Sequence, residues 1–349
     1  MRLEPRTSVP VFYTILAPVA AVLASLVISS GLLLWSGAPV FGAYALLFDG
    51  ALGSVFAITE TLTRATPLML TGLAAAVAFR AKLWNIGAEG QLYAGAIAVT
   101  AAGTGLVTLP QPVMVPFLML VGAAAGALLL LGPALLKIRL GVDEVVTTLL
   151  LNFIVLLVVG LLVEGPMKDP LAFGWPQAIP VVPEGEYPKL VPRTRLHLGL
   201  AISLGAAALV WFMNRETVWG YEMRAVGANL RAARFAGMPT DKVMVRVALV
   251  SGGLAGLAGV GEVCGLKGYL TLDLSPSFGY GGIVVAMLAQ LHPAGVVLAA
   301  LFVAVMFVGA DAMSRAVAVS SYLADVIVAS SLLSMLVAAL LARYRLRRG

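Results

Sequence analysis

Apolar blocks recur along the 349-residue chain, separated by short stretches of charge or by Pro/Gly breaks. Ten of them read as membrane crossings, each needing roughly 20 mostly apolar residues for a hydrocarbon core of ~30 Å. They lie near 11–35, 59–79, 86–108, 113–136, 145–163, 196–213, 243–262, 277–291, 294–313 and 322–342. The eighth, SFGYGGIVVAMLAQL, is short and glycine-rich. It fits a re-entrant or broken segment equally well, since irregular backbone is allowed where protein rather than lipid surrounds it. The expected fold is all-α: a polytopic integral membrane protein of about ten helices in one transmembrane domain, 1–349.

Charge placement orients these blocks. With the N-terminus inside, Arg2, Arg6, Arg80, Lys82, Lys137, Arg139, six cations between Arg215 and Arg246, and four from Arg343 to Arg348 face the cytoplasm, as the positive-inside rule requires. Both termini are then cytoplasmic. Two polar loops remain. The outer one, 164–195, holds seven of the 19 prolines and eight charges and reads as an ordered extracytoplasmic cap or docking surface. The inner one, 214–243, is the extended polar stretch on the cytoplasmic side.

Composition agrees and excludes several classes. The chain is 60% hydrophobic and 11% charged, against about a quarter charged in soluble domains. Its excess of 23 Lys+Arg over 17 Asp+Glu is explained by the cytoplasmic loops and calls for no nucleic acid. A single cysteine, Cys264, excludes an intrachain disulfide, and His197 and His292 lie too far apart for an HExxH metal site. No GxxxxGK[ST] phosphate loop occurs, so any nucleotide-driven work belongs to another chain. No catalytic constellation, metal or cofactor is expected.

The candidate chemistry lies in polar residues within the apolar blocks. In FRAKLWNIGAEGQLYAG, Arg80 and Lys82 mark the membrane edge, Asn85 is placed to cap a helix, and Glu89 sits in its first turn, favoured by the helix dipole. Helical rise puts Glu89 about 10 Å beyond Lys82. Ionisable groups at such depth face protein and mark functional sites by default. Three readings stand: capping and packing, contact with a permeating polar solute, or assembly and gating. Gln91 is offset from the Asn85–Glu89–Tyr93 face and ranks lower. Glu60, Asn152 and Glu262 are the other pathway candidates, none with an evident pairing cation. In SGGLAGLAGVGEVCG, Gly252/Gly256 and Gly261/Gly265 have the four-residue spacing that brings helices close.

Within the inner loop, YEMRAVGANLRAARFAGM reads as helix, break, helix. Gly227 ends the first piece, Asn229 caps the second, and Gly237 stops it. Arg224, Arg231 and Arg234 make a cationic face. It suits either a groove in a soluble partner or anionic lipid at the membrane surface.

NIGAEGQLYAGA (85–96), GVDEVVTTLLLNFI (141–154) and RAVGANLRAARFAGM (224–238), in this order, resemble the permease subunits of bacterial ABC importers of the sugar/branched-chain amino acid class, most like its nucleoside-uptake branch. The chain departs from the family pattern at Asp143, where Asn is common, and at AQLHPAG (289–295). The resemblance implies a second, smaller permease as heterodimer partner, an ATP-binding subunit and an extracytoplasmic substrate-binding lipoprotein, all at the bacterial inner membrane. It also implies that the ATP-binding subunit holds a coupling helix within Arg224–Met238. A simple-sugar permease, a self-sufficient secondary transporter and a non-transporting scaffold are the alternatives.

Overall fold

The computed structural model describes residues 2–5, 23–24, 26–105, 107 and 109–347. Residues 11–22 and 25 of the first expected crossing fall outside them. Thirteen helices form among the described residues: α1 (Leu26–Trp35), α2 (Val40–Leu52), α3 (Val55–Arg80), α4 (Ala88–Gly103), α5 (Gln111–Leu140), α6 (Glu144–Glu164), α7 (Gly199–Glu216), α8 (Val218–Ala228), α9 (Leu230–Phe235), α10 (Thr240–Val260), α11 (Phe278–Leu288), α12 (Pro293–Val317) and α13 (Ser321–Arg343). α10 continues as a π-helix over Gly261–Lys267. The only other regular elements among the described residues are a 3-10 turn at Pro183–Gly185 and a short antiparallel pair, β1 (Arg2–Pro5) with β2 (Tyr344–Arg347), which brings the two ends of the chain together.

Nine of the ten expected crossings coincide with a helix and α1 falls on the described end of the first, but they are not ten equivalent spans. Six helical segments are long and apolar enough to cross: α3, α5, α6, α10 with its π extension, α12 and α13. α1 and α2 form a pair bent by 118°. α4 has 16 residues and α11 has 11, about 24 Å and 16 Å long, each short of the ~30 Å core. α11 is therefore a half-helix, the broken alternative foreseen for the eighth block. α2 occupies what read as a connection between the first two crossings. Gly37 in a left-handed conformation (φ 76°) and Pro39 break the chain after Trp35, and α2 restarts at Val40.

The chain divides into two compact units. In Met1–Thr61 with Leu301–Gly349, Leu33, Ala43, Leu47, Met306, Met313 and Ile327 form the core. There α2 lies directly on α12, with Gly50 against Ala312 and Gly309 against Leu47.

The second unit, Leu62–Ala300, is built on α4, α5 and α10, which approach through glycines. Gly95 and Gly122 face Gly256, and Gly126 faces Gly252, backbone against backbone. The Gly252/Gly256 spacing is thus a packing seam. Gly261 has open space where a side chain would be, so only Gly265, pressed on the His197 ring, completes the second pair. Where membrane spans pack, apolar side chains gain nothing over lipid, and close approach of small residues supplies the contact. α3 carries Thr59, Thr61, Thr63, Arg64, Thr66 and Thr71 and is nevertheless 89% buried over its apolar window, against 22% for α6. Its polar positions belong inside protein, and α6, with most of its apolar window exposed, is the lipid-facing kind.

Candidate functional site

The N-terminal turns of α4 and α11 meet inside the second unit. A Cβ on Gly279 would lie 2.5 Å from Glu89 Cα and 2.7 Å from Ala88 C, so only glycine permits the approach. From this point the two helices leave toward different surroundings. Gly103 at the end of α4 reaches Val181 in the 164–195 loop, and Leu291 beyond α11 is held by Arg80. Each helix N-terminus carries roughly +0.5 of an elementary charge. Glu89, 4% exposed, lies between them, and its Oε2 accepts from Gly279 N–H at 2.6 Å. One carboxylate thus opposes two half-charges.

Other groups converge on the junction. Asn152 of α6 accepts from Gly90 N–H at 2.8 Å and donates to Ile86 O and Tyr280 Oη, both at 3.0 Å. Tyr93 donates to Leu272 O at 2.6 Å and accepts from Ser275 N–H at 3.1 Å. Thr71 donates to Phe278 O at 2.9 Å, and the Arg64 guanidinium lies 5.7 Å from the Phe278 ring centroid. Glu262, 3% exposed in the π-helix, is within electrostatic reach of Arg64, Lys267 and Tyr93. Of the buried acids, Glu262 thus has cations in its surroundings that were not evident as partners along the sequence. Lys267 lies five residues on in the same π-helix, whereas Arg64 comes from α3, a meeting that spacing along the chain hides. Outside the spans, Asp273 is held below the usual carboxylate range, first by a hydrogen bond from Thr271 and then by Lys267, whose Nζ is 3.1 Å away.

Asn85 is not the N-cap of α4. Gly87 takes that position without a side-chain cap, and the two residues before it form a turn in which Asn85 Oδ1 accepts from Gly87 N–H at 3.0 Å. The fully buried Asn85 amide pairs doubly with Gln91, at 2.9 and 2.8 Å, and donates to Ser251 Oγ at 3.0 Å, which in turn donates to Ala74 O at 2.8 Å. Gln91, ranked low from its helical face, is therefore half of a satisfied amide pair joining α3, α4 and α10. Residues 82–87 are irregular rather than helical, so the helical estimate of Glu89's depth does not apply. Glu60 lies on α3 within the first unit.

The polar stretch after α7 is helical. Asn229 caps α9, its Oδ1 accepting from Arg231 N–H at 3.0 Å and Ala232 N–H at 3.1 Å. Gly227 does not end α8, which runs to Ala228. A Cβ there would collide with the Arg80 carbonyl oxygen, so the glycine serves a backbone-to-backbone approach. Arg224 donates to Asn214 O, and Arg234 pairs with Asp241 at 3.0 Å. Gly237 follows α9 with φ 79°, the left-handed stop expected of it. Arg231, Asn229, Lys82 and Lys137 line an open pocket of about 470 Å³ beside this elbow. Lys137 also pairs with Glu144, which accepts from Trp84 N–H at 3.1 Å. Asp143 caps α6, its side chain accepting from Val145 N–H at 2.8 Å.

No group of three or more His, Cys, Asp or Glu placed to hold a metal occurs among the described residues. Apolar spans, two short helices that begin at a buried polar junction and a basic helical elbow are the marks of a polytopic membrane protein. The chain belongs to the family described as branched-chain amino acid transport system / permease component, whose model matches residues 57–342. It is 34% identical to the glucose ABC transporter permease TsgB13 of Haloferax volcanii over 100% of this chain and 95% of that protein. It is 34% identical to the guanosine ABC transporter permease NupP of Bacillus subtilis, over 90% and 91% of the two chains. The nucleoside ABC transporter permease NupB of Lactococcus lactis is 30% identical over 86% and 85%. No solved structure gives a significant match. The protein is thus an ABC permease of the cytoplasmic membrane, a transport component whose family implies an ATP-binding subunit and a substrate-binding protein.

Proposed function

We propose that this chain forms one half of the translocation pathway of an ATP-driven nucleoside importer. The observation that carries the substrate class is its identity to NupP along nine-tenths of the chain, joined by NupB. The junction geometry supports a neutral polar solute. Its one carboxylate at the paired helix ends is committed to a backbone N–H, and Tyr280, Tyr93, Ser275 and Asn152 offer uncharged polar atoms around it. In this reading Glu89, Asn152 and Glu262 border the solute's route, and Asn85 braces it from behind. A simple sugar is the second reading, favoured by the full-length match to TsgB13.

The partner set follows. A second permease completes the pathway as a heterodimer. A substrate-binding lipoprotein docks on the extracytoplasmic 164–195 loop. The ATP-binding subunit grips the 214–243 elbow on the cytoplasmic side, where both termini also lie, with Arg224, Gly227, Asn229, Arg231, Arg234 and Gly237 shaping that contact.

The test is uptake of radiolabelled nucleosides by cells expressing the four components, with and without this chain. Loss of nucleoside uptake alone supports the reading; loss of glucose entry instead selects the sugar alternative. Unchanged uptake of both rejects the transport role. For the elbow, Arg231→Glu with Arg234→Glu is expected to weaken binding of the ATP-binding subunit by about a hundredfold or more, read as loss of co-purification, since misplaced charge at an interface costs several kcal/mol. Arg231→Glu alone separates docking from the local Arg234–Asp241 pair, an exposed contact worth less than ~1 kcal/mol. An ATP-binding subunit that still co-purifies in full and turns over normally would place the contact elsewhere.

A further inference from the structure

The stretch 80–89 grips the half-helix α11 at both ends. At its start Glu89 accepts from Gly279 N–H at 2.6 Å. Beyond its end, Arg80 Nη2 donates to Leu291 O at 2.8 Å. Gln290 and Leu291 have φ of 51° and 61°, a conformation L-residues avoid. A paired left-handed turn of this kind has to be held in place by its surroundings, and the Arg80 hydrogen bond is one such restraint.

The α8–α9 elbow bears on the same stretch. Gly227 meets the Arg80 carbonyl with no side chain between them; its absent Cβ would also lie 3.0 Å from Arg80 C and 3.2 Å from Ala81 Cα. Lys82 Nζ donates to Ala228 O at 3.5 Å. Lys82 itself is left-handed, with φ 55°, at the point where α3 ends and the turns leading to Glu89 begin. One backbone-to-backbone contact and one guanidinium therefore connect the elbow to α11.

We propose that Arg80 is the positioning residue that carries movement of the elbow to α11. It rests on the reading of the elbow as the coupling element. A displacement of α8 meets the Arg80 backbone directly, because Gly227 leaves no compressible side chain. The Arg80 side chain then draws the Gln290–Leu291 turn, and with it the C-terminal end of α11. Glu89, on the same stretch, moves with the other end. The half-helix is carried as a unit, which is what alternate access at its N-terminal junction requires.

The experiment uses the assembled transporter in proteoliposomes. Nitroxide pairs are placed at Leu128→Cys with Met287→Cys, reporting α11, and at Leu128→Cys with Tyr221→Cys, reporting α8. Leu128, Met287 and Tyr221 are exposed, whereas the native Cys264 is buried and escapes labelling. Distances are compared between nucleotide-free and ATP-trapped states. In the otherwise unmodified protein both pairs are expected to shift. In Arg80→Gln, and independently in Gly227→Ala, the α11 pair is expected to stay fixed while α8 still responds in Arg80→Gln. Uptake per ATP hydrolysed should fall about tenfold, within the usual range of coupling energies. Arg80→Lys, which retains a donor for Leu291 O, should restore both readouts in large part. A full α11 shift in Arg80→Gln, or a stationary α11 in Arg80→Lys with normal uptake, overturns the proposal. If the α8 pair stays fixed in the unmodified transporter while ATP is hydrolysed, the elbow is not the coupling element, and that result is distinct from a failure of Arg80.

Discussion

Glu89→Ala is expected to cut uptake by roughly one to two orders of magnitude, with Glu89→Gln retaining more. The alanine leaves Gly279 N–H buried without its charged acceptor, a hydrogen bond of a kind worth about 1.5–3 kcal/mol. It also leaves two helix N-termini, about half a charge each, facing one another with nothing negative between them. Glutamine restores an acceptor of the same length but no charge, so it repairs the cap and not the dipole balance. Uptake measured at equal amounts of assembled complex, with ATP turnover recorded alongside, separates the two contributions. An ordering of wild type, Gln, Ala supports a junction that needs both. Equal uptake in Gln and wild type would reduce Glu89 to a neutral cap, and normal uptake in Ala would remove the junction from the pathway altogether.

The half-helices were visible in the sequence only as a doubt about one block. Hydropathy located Phe278–Leu288 and Ala88–Gly103 because lipid and protein interior both demand apolar residues. It did not say where those helices begin relative to each other. Glu89 and Gly279 are 190 positions apart, and Gly90 and Asn152 are 62 apart. No local pattern encodes either meeting. Asn85 shows the same limit in reverse. Its capping preference is real, yet Gln91 and Ser251 offer its amide a saturated site inside the bundle, and tertiary hydrogen bonds outweigh a cap worth about 1 kcal/mol. Asn229, exposed and with no comparable competitor, caps α9 as its type predicts. Arg64 escaped notice because a lone cation in an apolar helix gains meaning only from what surrounds it, here Phe278 and Glu262. Gly227 looked like a helix stop; the constraint on it comes from Arg80, a contact across the fold.

Gly256→Val is expected to abolish recovery of folded protein, and Gly256→Ala to lower its melting temperature in detergent. A Cβ at this position would strike the Gly122 carbonyl and stand 3.2 Å from Gly126 Cα, while Gly95 and Gly126 close on Gly256 from the other side of the contact. These obstacles are α5 backbone, so no side chain can turn aside, and α10 must part from α5. Overpacking costs typically ~1–3 kcal/mol where side chains yield; two helix backbones that must separate put this site at or above the upper end. Helix propensity pulls the other way, since alanine gains about 1 kcal/mol over glycine within a helix. At Gly132 on α5 and Gly205 on α7 a methyl group would meet nothing within 4 Å, so their alanine variants collect the propensity gain without the clash. Thermal unfolding followed by size-exclusion of the detergent-solubilised complex should therefore move in opposite directions for Gly256→Ala and Gly132→Ala. Were both to rise together, the seam would be loose enough to admit a methyl group, and the close approach of α4, α5 and α10 would not be what holds this unit together.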